Sequence, residues 1–324
     1  HLAGTTLESL LSAALTLRGA QVHILLCDAA LPACLACSSD IYPNHSKFSK
    51  DGPIKDCRAC YEPALKMYKS LGLTVHKYSD FISDFEKKKA EEISSTIPFT
   101  EIEHYSLDGM AVGEHAMAGA LRFFARGILD GEPYGEPILR RYFKASLLTT
   151  FATSNLLKQH KFAAAVFHHG IYVPQGLIGE VCRKKEIHVV NWNPAYRKKC
   201  FIFSHYDTYH HTMMTEPVEK WMSISWDEHR DAELLGYLKS RWEGTEDWIW
   251  FHDKPKFDLQ DIIRKTGVDF SKPCIGLLTS VMWDAVLHYP SNAFPNMLEW
   301  VKSTIDYFAK RPDIQLIIRI HPAE

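Results

Sequence analysis

The sequence predicts an α/β protein with two Rossmann-like, doubly wound domains, and three observations support this fold class. Apolar stretches that end in polar or glycine-containing loops alternate with amphipathic helical stretches along the chain. The chain has 324 residues, which exceeds the usual limit for a single hydrophobic core. Residues 274–320 read as a strand, a helix and a second strand, so these two strands are expected to run parallel.

Composition and charge narrow the class of protein. Hydrophobic residues make up 46% and charged residues 23% of the chain, as is ordinary for a soluble enzyme. The net charge of −2 argues against a dedicated nucleic-acid binder, and no apolar run approaches the roughly 18 residues that span a bilayer. Four of the eight cysteines are scattered over predicted core elements, which indicates a reducing compartment and hence the cytoplasm. We also expect a strand before His1 and further βα units after Glu324.

The first predicted elements are the helix Leu7–Arg18, with Thr5 or Thr6 as its N-cap, and the strand Gln21–Cys27. If a strand precedes them, residues 1–6 form a strand-to-helix loop. Backbone N–H groups at such a helix N-terminus bind anions and polar ligands, so Gly4 and Thr5 are candidate ligand-binding residues. A plain connector is the alternative.

Two Cys-x-x-Cys pairs follow, Cys34 with Cys37 and Cys57 with Cys60, separated by 19 residues. Each pair can place two thiolates on one metal, and this spacing is typical of a structural four-thiolate Zn²⁺ site. The loop between the pairs is polar, with little to hold it in place without a metal. An iron–sulfur cluster is the main alternative, and a pair of disulfides is less favoured in a reducing cell.

The rest of the predicted first domain, which extends over 1–225 with the four-cysteine insertion at 34–60, continues the alternation of helices and strands. Its predicted strands are Thr74–Tyr78, Phe162–Phe167, His188–Trp192 and Cys200–Ser204. Its predicted helices are Glu62–Leu71, Asp84–Glu92, Ala116–Leu129, a helical stretch within Tyr134–Gln159, and Gln175–Lys184.

Candidate catalytic residues lie in a glycine-containing segment before the helix Ala116–Leu129. Asp108, Glu114 or His115 could take a proton from an attacking hydroxyl, although acids near a helix N-terminus also serve as simple caps. His169 follows a buried strand, which makes it a candidate ligand contact. The run YDTYHH at 206–211 matches no zinc template, so we do not expect a metal there.

A linker and helix at 226–266 precede the start of the second domain at 267–324. Its predicted elements are the strand Cys274–Ser280, the helix Asn296–Lys310 and the strand Gln315–Ile320. Ligands of parallel sheets bind beyond the carboxyl ends of the strands. There, hydroxyls and ring N–H groups could bind phosphates, although strand capping and a surface histidine are the alternatives. The candidate binding residues at this edge are Thr279, Ser280, His321, Pro322 and Glu324.

The C-terminal GLLTS strand, the Trp-containing helix and QLIIRIHPAE together resemble bacterial capsule polysaccharide biosynthesis proteins, which are GT-B glycosyltransferases related to Kdo transferases and polysialyltransferases. LLCDAALPACLAC and CRACYEPALKMYKSLGL resemble a cysteine-bearing subgroup. The resemblance implies that His321-Pro322 contacts the donor phosphate and that the first domain binds the acceptor. It also implies an acidic base in a loop, here Asp108 or Glu114, although the acidic-acidic-Gly motif is absent.

We therefore expect a glycosyltransferase that moves a sugar from a nucleotide sugar to a glycan or glycolipid acceptor. The two sheets are expected to face a common cleft. The protein is expected in the cytoplasm, at the inner face of the membrane if it associates with the membrane peripherally. A sugar-nucleotide epimerase of the UDP-GlcNAc 2-epimerase type and a non-catalytic, zinc-stapled scaffold in polysaccharide assembly are the alternatives.

Overall fold

The structure, a computed structural model, describes residues 2–213, 216–243, 246–247, 258–286 and 292–323. It is a mixed α/β protein with small sheets, which agrees with the α/β part of the prediction. Two compact units share the chain. The first consists of His1–Trp192, Phe203–His211 and Trp283–His288, and the second of Asn193–Ile202, Thr212–Met282 and Tyr289–Glu324.

Short strands and mostly longer helices alternate along the described residues. The strands are β1 (His23–Leu26), β2 (Thr74–Lys77), β3 (Ala164–His168), β4 (His188–Pro194), β5 (Phe201–His205), β6 (Cys274–Leu278) and β7 (Gln315–Arg319). The helices are α1 (Leu2–Leu17), α2 (His45–Asp51), α3 (Ile54–Ser70), α4 (Asp84–Thr96), α5 (Val112–Phe124), α6 (Gly135–Gln159), α7 (Gln175–Lys184), α8 (Tyr209–Thr212), α9 (Glu219–Met222), α10 (Glu228–Glu243), α11 (Leu259–Thr266) and α12 (Met297–Ala309).

The core of the first unit is built around α5 and α6. Apolar residues recur along both helices at helical spacing, and Phe123, Ile138 and Phe143 are at most 1% exposed. Gly119 allows the helices to approach closely, since a Cβ there would lie 2.5 Å from the ring of Tyr142. Burying side chains of this size stabilises the fold by about 1.5–3 kcal/mol each.

The strands of the first unit form small sheets. β1 pairs with β2 in parallel, from His23 opposite Thr74 onward. β3 pairs in parallel with β4, which is also next to β5. Among the described residues these are two separate sheets, whereas one doubly wound sheet was predicted. The difference follows from the α5–α6 pair, which supplies the buried surface that a wider sheet would otherwise provide.

The second unit contains the predicted parallel strand–helix–strand arrangement. β6 and β7 pair in parallel from Cys274 opposite Gln315 to Leu278 opposite Arg319, and α12 connects them. The helix α12 begins after Asn296, whose Oδ1 accepts a hydrogen bond from the N–H of Glu299 at 2.9 Å. The carboxyl ends of both strands therefore lie at one edge of this sheet.

Two predicted loops are wrong. The helix α1 begins at Leu2, so Gly4 and Thr5 lie in its first turn. The backbone N–H groups of a first turn have no intrahelical partner. The segment between the cysteine pairs contains α2 and the start of α3. Phe48 on α2 is 2% exposed and stacks on Phe123 at 4.6 Å between ring centroids, so aromatic packing holds this segment.

Among the described residues, no helix combines the length and the apolar character that crossing a membrane requires.

Candidate functional site

The carboxyl end of β3 turns sharply and directs a histidine into the first unit. His169 has a left-handed backbone conformation with φ of 65°, and Gly170 follows with φ of 83°. A Cβ at Gly170 would lie 2.7 Å from the side-chain amide of Asn191, so only glycine fits here. The N–H of His169 donates to the carbonyl of Trp192 on β4 at 3.1 Å. A left-handed histidine costs backbone energy, and such strain is concentrated at functional sites.

The imidazole of His169 lies among other aromatic rings. Its centroid is 4.9 Å from the ring of Tyr172 and 5.1 Å from that of His210 on α8. Nδ1 of His169 and Nε2 of His210 are buried without a hydrogen-bond partner among the described residues. Buried polar atoms without partners are rare in proteins, and a catalytic or ligand-binding role is one explanation for them.

Burial keeps these imidazoles neutral. It lowers the pKa of His210 to about 4, where the charge of Asp284 opposes the shift and that of His211 adds to it. The pKa of His169 lies well below its ordinary value, chiefly through burial and then through His210 and His168. Neutral rings of this kind can accept a hydrogen bond from a hydroxyl, but their lowered pKa makes them weak proton acceptors at neutral pH.

Tyr172 extends this cluster towards a carboxylate. Its hydroxyl donates to Oδ1 of Asp284 and accepts from the N–H of Ala285 at 2.7 Å. The guanidinium of Arg122 lies 5.2 Å from the centre of its ring. Burial, and then the charge of Asp284, raises the pKa of Tyr172 far above its ordinary value. Tyr172 therefore stays protonated, as an oriented hydrogen-bond donor.

His115 is buried beneath this turn rather than exposed in a loop. It lies with Glu114 in the first turn of α5, where the sequence suggested a loop. Its Nδ1 donates to the carbonyl of Ile171 at 2.5 Å, and its Nε2 is 3.8 Å from Oε1 of Glu180. Gly176 makes room for the ring, since a Cβ there would be 2.3 Å from Nδ1 of His115. His115 thus holds the backbone after His169 in place.

A chain of charged groups continues from Glu180. Arg183 donates to Oε1 of Glu180 at 2.6 Å and to Oδ1 of Asp207 at 3.3 Å. Oδ2 of Asp207 is 2.8 Å from Nδ1 of His211, the neighbour of His210. Burial raises the pKa of Glu180, but His115 and Arg183 outweigh it and lower the pKa to about 2. Glu180 is therefore a permanent anion that orients the network.

The predicted acids lie in different surroundings. Asp108 is exposed in a turn that Leu107 and Met110 close through mutual backbone hydrogen bonds of 3.1 and 3.0 Å, and its carbonyl accepts from Lys184. Glu114 is half-buried in the first turn of α5, a favourable position for an acid near a helix N-terminus.

The second unit brings two of the predicted donor-binding residues together. The N–H of Thr279 donates to the carbonyl of Arg319 at 3.1 Å, which continues the β6–β7 pairing. Oγ1 of Thr279 accepts from the N–H of His321 at 3.0 Å. The N–H of Ala323 donates to Nδ1 of His321 at 3.1 Å, so the proton of the neutral ring is on Nε2. Ser280 follows Thr279, Pro322 follows His321, and both are exposed. Glu324 lies outside the described residues.

The four predicted metal ligands also lie in the first unit. Cys34 and Cys37 occupy one turn, in which the N–H of Cys37 donates to the carbonyl of Cys34 at 2.9 Å. The thiol hydrogen bond between them raises the pKa of Cys34 and lowers that of Cys37. Cys57 and Cys60 are one turn apart on α3, so their side chains share a face of the helix.

The two cysteine pairs interact electrostatically. Burial, followed by the charges of Cys34, Cys27 and Cys60, raises the pKa of Cys57 to about 12. Crowded thiols of this kind are what a dication would stabilise as thiolates. Within the described part of the chain, however, no three His, Cys, Asp or Glu side chains are arranged to hold a metal ion. The donor set fits zinc chemically, without the closed tetrahedron that the spacing predicted.

No protein-family model, curated protein or solved structure matches this chain. The resemblance to capsule biosynthesis proteins therefore stays a prediction.

Sequence reasoning placed His169 in a site but missed its neighbours. His210 belongs to the run at 206–211, which was considered only as a metal site. Tyr172 reaches Asp284 across a separation of 112 residues, which no local pattern reveals. The available signal was the density of histidines in two short segments, at 168–169 and 210–211.

Proposed function

We propose that this chain is a nucleotide-sugar-dependent glycosyltransferase of the GT-B type that acts on a glycan or glycolipid acceptor in surface or capsular polysaccharide biosynthesis. The observation that carries the proposal is the contact between Thr279 and His321 at the carboxyl edge of β6 and β7. That edge is where parallel sheets bind their ligands, and the neutral ring of His321 carries its proton on Nε2. The proposal assigns the donor nucleotide to the second unit.

The reaction would break the bond between the anomeric carbon and the donor phosphate as the acceptor hydroxyl attacks that carbon. Negative charge develops on the leaving phosphate, and His321 Nε2–H with backbone N–H groups and Ser280 would stabilise it. The hydroxyl proton passes to a base. This scheme requires no metal at the phosphates, because donors fixed by the fold can meet the charge.

We assign acceptor binding and the base to the first unit. The neutral imidazoles of His169 and His210 can hold an acceptor hydroxyl through a hydrogen bond, but their lowered pKa makes them weak bases at neutral pH. Asp108 and Glu114 stay candidates, while His115 is better suited to positioning because both of its ring nitrogens face protein oxygens. Gly4 and Thr5 stay candidates for acceptor binding from the first turn of α1.

We also propose a structural Zn²⁺ held by Cys34, Cys37, Cys57 and Cys60. The crowding of these thiols and the hydrogen bond within the first pair support it. When bound, the metal would contribute to folding rather than to chemistry, since four thiolates leave no open position. A cytoplasmic location, with peripheral association at the inner face of the membrane, belongs to the same proposal.

A screen of nucleotide sugars tests the proposed function. CMP, UDP, GDP and dTDP sugars are added singly to the natural protein, and the unfolding temperature is followed. The proposal predicts that one nucleotide class raises it and that transfer requires an acceptor. A new nucleotide sugar formed without acceptor would indicate the epimerase. No shift with any of the four classes would favour the scaffold and contradict the proposal.

A further inference from the structure

A groove of about 740 Å³ lies at the carboxyl ends of β1 and β2 in the first unit, and none of the residues that line it belongs to the His169 cluster or to the cysteine pairs. Asp28, two residues beyond β1, and Ser79, two residues beyond β2, line it. Ligands of parallel sheets bind at this edge, and binding sites for small molecules typically measure about 300–1,000 Å³. Position and size are therefore those of a ligand site.

Hydrogen bonds hold the groove in a preformed shape. The carboxylate of Asp28 accepts from the N–H and the hydroxyl of Ser79 at 3.1 and 2.5 Å, which ties the two strand ends together. On the facing wall, Arg141 of α6 donates to the carbonyls of Pro32 and Ser49 at 3.2 and 3.1 Å. A preformed site spares a ligand the cost of ordering these loops.

A second arginine fixes the remaining wall. Nη1 of Arg140 donates to the carbonyls of Ser94 and Ile97 at 2.8 and 2.9 Å, which binds α6 to the end of α4. The cations at the rim, in contrast, form only surface ion pairs. Lys87 pairs with the exposed Asp84, and Lys144 pairs with the exposed Glu91. Surface pairs of this kind exchange readily for a ligand.

The charge of the lining points to an anion. Positive side chains outnumber negative ones around the groove, although the whole chain carries a net charge of −2. A concave surface lined by one predominant charge concentrates ligands of the opposite sign. The cations are Lys50, Lys87, Arg140, Arg141 and Lys144, and the carboxylates are Asp28, Asp51 and Glu91.

The other lining groups narrow the ligand further. Among the described residues that line the groove there is no aromatic ring, so stacking with a neutral sugar or a base has no partner. The hydroxyls of Ser49, Ser79, Ser94 and Ser95 already donate to protein oxygens, so the cations supply the contacts to an anion. Several cations around one concave surface suit the oxygens of a phosphate group.

We propose that this groove is a separate binding site for a phosphate-bearing small molecule, with Lys50 and Lys87 contacting its phosphate oxygens. This site does not depend on the proposed glycosyltransferase function, because its residues belong to α2, α4, α6 and the β1–β2 edge rather than to β6 and β7.

Calorimetric titration of the full chain with inorganic pyrophosphate tests the site. A Lys50→Gln/Lys87→Gln variant removes two rim cations, and a Lys47→Gln/Lys88→Gln variant makes the same charge change on the same two helices outside the lining. The first variant is expected to bind pyrophosphate about tenfold more weakly or worse, since each lost charged hydrogen bond weakens affinity. The control is expected to bind as the unaltered protein does.

Hydrogen exchange then locates the bound pyrophosphate. Slower exchange is expected at 28–32 and 79–82, whereas binding at the β6–β7 edge would protect 279–281 and 321–323. Adding vesicles of phosphatidylcholine with phosphatidic acid distinguishes the source, since their competition with pyrophosphate identifies a lipid headgroup and its absence a soluble phosphate. Undetectable binding, equal weakening in both variants, or protection confined to the β6–β7 edge overturns the proposal. Loss of sugar transfer alone would leave it intact.

Discussion

The imidazole rings of His169 and His210 lie 5.1 Å apart, and each has a buried nitrogen without a hydrogen-bond partner among the described residues. A proton on one ring would place a buried positive charge beside the other, so the fold is most stable while both rings are neutral. Arg122 contributes a further positive charge that disfavours a proton on His169. This pair therefore links the candidate site to the stability of the first unit.

The first prediction concerns pH. Burial lowers the pKa of His168 and of His210 to about 4, whereas an unfolded histidine titrates near 6.5. The unfolded chain therefore binds more protons in this window, and stability is lost as pH falls from about 6.5 towards 4. We expect a loss of roughly 1–2 kcal/mol per histidine by pH 5. Urea unfolding at pH 7, 6 and 5 measures it.

A His210→Gln variant is the control for this effect. It keeps a polar side chain of similar reach but cannot titrate, so its urea midpoint should fall less between pH 7 and pH 5 than that of the unaltered protein. Equal pH dependence in the two proteins would show that the histidine cluster does not carry the effect.

The second prediction concerns the packing beneath the site. In Gly176→Ala the new Cβ would be 2.2 Å from the carbonyl oxygen of Ile171 and 2.3 Å from His115 Nδ1. We expect a loss of about 1–3 kcal/mol, because a packed interior has no room to yield. Gly236→Ala in α10 meets nothing within 4 Å and should instead stabilise by about 0.5–1 kcal/mol. Unfolding temperatures of the two variants that shift alike would refute this packing.

The third prediction concerns Thr279. Thr279→Val keeps the shape but removes the acceptor for the N–H of His321, which should cost about 0.5–1.5 kcal/mol of stability. Nucleotide binding should weaken as well, because the backbone that directs His321 loses its anchor. Thr279→Ser retains the hydroxyl and should behave like the unaltered protein. Calorimetry with the nucleotide found by the screen decides, and equal affinity of the Val and Ser variants would exclude this role.

The fourth prediction concerns the cysteines. Metal analysis of the purified protein should give about one zinc per chain, and a chelator should lower the unfolding temperature because bound metal adds to folding free energy. Cys57→Ser should lose the metal, whereas Cys200→Ser, an exposed cysteine outside the two pairs, should retain it. Iron in place of zinc would identify the cluster alternative. A folded, metal-free protein would refute a metal site.

The sequence predicted the elements whose ends and apolar faces are specified by residues within or next to the element. The helix α7 has its predicted bounds of Gln175–Lys184, since Pro174 precedes it and basic residues fill its last turn. The predicted helix Asn296–Lys310 is observed as α12, with Asn296 as its N-cap, and the parallel pairing of β6 with β7 follows from their connection through that helix. The meeting of Thr279 with His321 is a consequence of this pairing, so the sequence could reveal it.

Tertiary packing decided what the sequence did not reveal. Residues 1–6 were expected to form a loop between a preceding strand and a helix at Leu7, yet α1 begins at Leu2. Phe48 looked like an isolated aromatic residue in a polar segment, and only Phe123, on a distant helix, explains why α2 forms there. Periodicity reports which face of an element is apolar, but it does not report which side chains from remote segments meet that face.

The proposed glycosyltransferase is tested most directly by the turnover number of His321→Ala with the nucleotide sugar that the screen identifies. Losing the Nε2–H donor from the leaving phosphate should lower kcat about tenfold or more. His321→Gln, which keeps an N–H donor of similar reach, should recover part of the activity. Unchanged kcat in His321→Ala would contradict the assignment of the β6–β7 edge as the donor-phosphate site.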